Sequence, residues 1–126
     1  MKLDPNCIRD TLLAVEDYEF NAHITLNNLC EKLSQYNKDE IHYTCLKLYE
    51  GGFLDLQTLP AMMQNVPLIG SINGLTFQGH EFLEDIKEPS NWNNIISGCK
   101  KVGTFSLPFI KEIAIQVIKK KINGEF

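Results

Sequence analysis

His80 and Glu81, with Glu84 four residues after the histidine, come within one residue of the HExxH spacing. In that motif two histidines one helical turn apart hold zinc, and the glutamate activates water. Glu84 stands where the second histidine belongs. A metal site would need a further ligand, which only His23 or His42 can supply from elsewhere in the chain. The residues favour a structural role, with His80 packed at a helix flank or paired with Glu84, and Glu81 facing water. No metal and no cofactor are expected.

Other chemistry is equally thin. A serine or cysteine nucleophile needs a positioned base, and the three histidines lie in no such arrangement. GCKKVGT at 98–104 starts with the glycine spacing of a phosphate loop but lacks the lysine after the second glycine. Cys7, Cys30, Cys45 and Cys99 form no CxxC or CxH pair, which speaks against a zinc finger or a thioredoxin-like motif. Three of them fall among apolar residues of predicted helices, as buried reduced thiols do. The expectation is a non-enzymatic protein.

The elements that position these residues can be read from spacing and caps. Asp4-Pro5 opens a first helix carrying Cys7, Ile8, Leu12, Leu13 and Val15. Thr25 caps a short second helix with Leu26, Leu29, Cys30 and Leu33. Asn37 and Glu40 form a capping box, and Tyr36 and Ile41 stand at staple positions. The third helix then buries Ile41, Cys45, Leu48 and Tyr49, turns Asp39, Tyr43, Leu46, Lys47 and Glu50 outward, and stops at Gly51-Gly52. Phe53 to Gln57 alternates as a strand, and Leu68 to Leu75 pairs back on it across a Pro- and Gly-punctuated loop. Thr76 caps a fourth helix with Gly79, Phe82, Leu83 and Ile86 inward, where the glycine permits close approach. A short helix around Trp92, Ile95 and Ile96 follows, then a loop from Gly98 to Gly103. The last helix begins at Ser106, and its apolar face spans Phe109, Ile110, Ile113, Ala114, Val117, Ile118 and Ile122. That width implies burial between two layers or contact with a partner.

A chain of 126 residues suits one domain. It lacks a long uncharged apolar run and a basic-then-apolar leader, so a soluble, cytoplasmic protein is expected. Charge is unevenly spread. Residues 1–88 hold 6 Lys/Arg against 14 Asp/Glu, a net of −8, whereas 89–126 hold 6 against 2, a net of +4. Between Lys47 and Lys87 there is no Lys or Arg, and Arg9 is the only arginine. Phosphate contacts rely on these residues.

Three helices, a strand, a hairpin loop, a second strand and a returning helix is the order of a winged-helix domain. The LT-x-x-G-x-x-x-L pattern at Leu75, Thr76, Gly79 and Leu83 is similar to the exit from the wing in many such proteins. MKLDPNCIRDTLLAVED at the start, YEGGFLDL at 49–56, GLTFQGHEFLEDIKEPSNW at 74–92 and SLPFIKEIAIQVIKKKING at 106–124 resemble a family of small phage and prophage proteins, domain of unknown function 2513. Thr44 stands where that pattern has a histidine, and Gly74 where it has a basic residue. The resemblance implies an α+β winged helix-turn-helix with a C-terminal helical extension, and a mobile-element setting without a known activity. Residues 1–88 are the expected winged-helix core, with 89–126 as helices packing on it.

Two functions follow from that fold. The first is DNA-binding transcriptional regulation, with the third helix in the major groove and Lys38, His42, Tyr43 and Lys47 as contacts. Asp39 and Glu50 oppose it, and the wing carries no cation. The second is an acidic protein-binding module that inhibits or scaffolds a host or defence protein through Leu46, Met62 and Met63. Homodimerisation through Phe109, Ile113 and Val117 is a separate expectation, from the width of the last helix's apolar face.

Overall fold

The computed structural model describes residues 1–63 and 65–124. Helix α1 (Pro5–Glu16) starts where Asp4 accepts a hydrogen bond from the Asn6 amide at 2.9 Å, and Pro5 sits at a first-turn position that needs no donor. Helices α2 (Leu26–Lys32) and α3 (Lys38–Glu50) each begin with a reciprocal capping box, Thr25 with Asn28 and Asn37 with Glu40. Gly52, at φ +84°, takes the left-handed turn after α3 that a side chain would resist.

Strands β1 (Leu54–Leu59) and β2 (Leu68–Leu75) pair antiparallel, with Leu54 opposite Leu75 and Leu59 opposite Leu68. Leu54 and Leu56 face the core while Asp55 and Gln57 face water, the alternation of a half-buried strand. A single bridge joins Ile24, before α2, to Ile72 of β2, closed by an N–H···O bond of 2.9 Å. The sheet packs against α1, α2 and α3.

Helix α4 (Phe77–Ile86) follows directly. Thr76 accepts from the Gly79 amide at 3.0 Å and donates to the Gly52 carbonyl at 2.6 Å, which ties the end of β2 to the turn after α3. A Cβ on Gly79 would stand 1.9 Å from the Phe53 carbonyl oxygen, so α4 reaches this depth only because the residue has none. Phe82 then stacks on Phe53 with ring centroids 4.9 Å apart. Arg9 donates to the carbonyls of Ile86 and Lys87 at 3.0 and 2.6 Å, capping α4, and its guanidinium lies 5.9 Å from the Trp92 ring. The only arginine is therefore committed to the fold.

The expected short helix and Gly98–Gly103 loop are replaced by one continuous helix, α5 (Pro89–Val102), ending at Gly103 with φ +85°. Gly98 is a point of close approach instead of a break: a Cβ there would come within 3.2 Å of the Ile113 side chain on α6 (Leu107–Ile122). Helices α5 and α6 form a hairpin that covers α4. Phe82, Leu83, Ile86, Ile95, Ile110 and Ala114 meet in this seam and continue the core of Ile8, Leu12, Leu29, Ile41 and Leu48 without interruption. No helix among the described residues is long and apolar enough to cross a membrane.

Candidate functional site

The outward side of α3 carries Asp39, His42, Tyr43, Leu46, Lys47 and Glu50 at helical spacing, so all six share one stripe. It does not stand open. The β1–β2 loop turns back across it, and His42 Nε2 lies 2.9 Å from the Pro67 carbonyl oxygen. A carbonyl only accepts, so this contact puts the proton on Nε2. Val66, the residue before, roofs Leu46 and divides the α3 surface into two hollows. One, of about 320 Å³, lies among Tyr43, Lys47, Tyr49 and Pro67, and the other, of about 190 Å³, among Met1, Asp39 and His42; Leu46 and Val66 border both.

The charged side chains of this site are Asp39, Lys47 and Glu50, and the last two are paired. Lys47 Nζ bonds the Glu50 carboxylate at 2.9 Å and lies 5.4 Å from the Tyr43 ring centroid. The hydrogen bond and charge of Glu50 raise the Lys47 ammonium above its ordinary pKa. Beyond the hollows the loop tip is apolar and in water: Met62 is 92% and Met63 102% exposed, with Leu59, Val66 and Leu68 also exposed nearby in sequence. Met63 holds φ +63°, a left-handed backbone that a long side chain resists.

His42, Tyr43 and Lys47 come together here as their spacing implies. Lys38 lies apart, in a hollow it shares with His42, Thr25, Asn27, Leu59 and Leu68 on the α2 side. Leu46 needs correction, because it is only 9% exposed while Tyr49, assigned inward, stands in the larger hollow. A loop 20 residues further along covers Leu46, and helical periodicity carries no information about it. Tyr49, Val66 and Pro67 are the site residues that the sequence reading missed. Pro67 marked a turn, but nothing local showed where the turn would lie.

The proposed dimer face also needs correction. Val117 is buried within the subunit, and Phe109 and Ile113 pack half-buried on its core. From Phe109 to Val117 the width of the α6 apolar face comes from lying against both α5 and α4.

His80 is exposed and makes no side-chain hydrogen bond among the described residues. Glu84 pairs with Lys87 at 3.6 Å, and Lys87 reaches Glu16 at 2.9 Å, so the expected His80–Glu84 pair is absent. Among the described residues no three His, Cys, Asp or Glu side chains converge on a metal position. Thr44, in place of the histidine of the family pattern, is buried and donates to Cys7 Sγ at 3.4 Å. All four cysteines are free. Burial raises each thiol above 9.0, that of Cys45 to about 12, which keeps them protonated and poorly nucleophilic.

Residues 2–106 match the family described as "Hypothetical protein (DUF2513)". The chain belongs to this family. The DUF2513 match spans α1 to α5, including α3 and the β1–β2 loop, and ends just before α6. No curated protein and no solved structure matches the chain.

Proposed function

We propose that this DUF2513 protein is a non-enzymatic winged-helix binding protein, and that its α3–loop surface grips a segment of another protein. The winged-helix reading is supported by the helix order, by β1 and β2 as the arms of the wing, and by the Ile24–Ile72 bridge in the place of the short third strand. The observation that carries the protein-binding reading is the Val66–Pro67 roof over α3, held by His42. A recognition helix must present bare side chains to a major groove about 12 Å wide. Here the corresponding stripe is roofed, its lysine is paired with Glu50, and its wing carries no cation.

The same features suit a polypeptide. Exposed Met62 and Met63 supply an adaptable apolar surface, the hollows accept side chains, and Asp39 and Glu50 favour a positively charged segment. In a phage or prophage setting such a surface inhibits or scaffolds a host or defence protein. The test is fluorescence anisotropy with a labelled amphipathic Leu/Lys peptide and its Leu/Glu counterpart. Saturable binding of the first alone supports the reading, and equal or absent binding of both overturns it.

DNA-binding regulation is the second reading, favoured by exposed Lys38 at the start of α3 beside His42. A mobility shift of random duplex at about 50 mM salt that fades as salt rises would establish it in place of the first.

A further inference from the structure

The end of α6 carries a surface that the fold covers only in part. Ile115, Ile118 and Ile122 follow one another at i, i+3 and i+7 along one side of the helix. Ile115 and Ile118 are half-buried and Ile122 is 79% exposed, and none of the three belongs to the core or to the residues packed on it. Lys119 and Lys120 are exposed beside them and make no ion pair among the described residues, while Lys121 is held by Asn91 at 3.1 Å. A helix C-terminus favours positive charge by itself. It gives no reason for an isoleucine stripe next to that charge.

This is the kind of segment that the α3–loop surface is proposed to take, and every copy of the chain carries both. The two surfaces are complementary in charge, exposed Asp39 and Glu50 on one against exposed Lys119 and Lys120 on the other, and each exposes apolar side chains, Met62, Met63 and Val66 on the first and Ile122 on the second. We propose that two copies associate by laying the α6 tail of each on the α3–loop surface of the other. Lys119 and Lys120 then face Asp39 and Glu50, and Ile118 and Ile122 cover Met62, Met63 and Val66. A two-fold axis makes both contacts at once and closes the assembly as a dimer. The inference rests on the protein-binding reading of the α3–loop surface. It also makes the dimer a resting form that hides that surface until another basic segment displaces the tail.

Light scattering on the full chain tests this. At about 50 mM salt the mass should climb from 14.4 kDa toward twice that value as protein rises through the micromolar range. At about 500 mM salt the midpoint should move to at least tenfold higher concentration, because screening shortens the reach of the charges. K119E/K120E and D39K/E50K should each stay monomeric, and their equimolar mixture should recover the dimer, since each swapped tail then meets an oppositely charged surface. The substituted side chains are exposed or at a rim, and the salt response of the unmodified chain stands whatever the variants do. A chain monomeric throughout at low salt, or a dimer indifferent to both salt and charge reversal, overturns the proposal. A monomer that still binds the Leu/Lys peptide defeats self-association alone, whereas a monomer that binds neither peptide defeats the underlying reading as well.

Discussion

His42 on α3 and His80 on α4 both project from amphipathic helices among carboxylates. His42 is bonded across 2.9 Å to a carbonyl of a returning loop, whereas His80 stands in solvent. The helices differ in the same way. Helix α4 spends its special residues inward, with Gly79 against the Phe53 carbonyl and Phe82 on the Phe53 ring, and its outward Glu84 pairs with Lys87. Helix α3 has an ordinary buried stripe, and its distinctive chemistry faces outward under Val66 and Pro67. A motif-like spacing therefore says little about function until it is known which face another segment covers.

On the proposed reading α4 serves stability and α3 serves binding, and substitutions should separate the two. The largest effect is expected from Gly79→Ala, where the obstacle is backbone and cannot swing aside. Urea unfolding should show a loss of about 3 kcal/mol or more, and a loss below about 1 kcal/mol would mean that α4 is free to shift outward.

Alkaline pH tests the packing beneath α3. Cys45 is raised from 9.0 to about 12 by burial, so the folded chain holds this proton more tightly than the unfolded chain. The resulting stability is complete below pH 9.0 and is lost as pH rises toward about 12. Urea midpoints should fall on that limb, by about 2 kcal/mol near pH ~10.5 from Cys45 alone, and a flat profile from pH ~8 to ~10.5 would show that the thiol is not buried as described.

On the binding side, Met62→Ser with Met63→Ser should weaken Leu/Lys peptide binding at least tenfold, about 1.4 kcal/mol, while unfolding stays within about 0.5 kcal/mol because both side chains are exposed. The reverse pattern would exchange the roles of the two helices. Thr76→Ala should cost about 1 kcal/mol of stability through loss of the α4 cap and leave peptide affinity unchanged. His42→Ala should cost least, about 0.5 kcal/mol, yet speed proteolytic cleavage next to Pro67, since the His42 hydrogen bond ties Pro67 to α3.

Local signals determined a large part of this protein. The caps at Asp4, Thr25, Asn37, Thr76 and Ser106 mark helix starts because a side-chain acceptor next to free amide donors works within four residues of chain. The start of β1 and the inward glycine of α4 were legible for the same reason, as alternation and residue size act locally. Tertiary structure decided what those elements face. Gly98 reads as a break until Ile113 of α6 occupies the space that its missing Cβ leaves. Leu46 and Val117 read as exposed partner residues until the β1–β2 loop and the α5–α6 seam cover them. Burial depends on which distant segment returns, and periodicity along one helix carries no information about that segment.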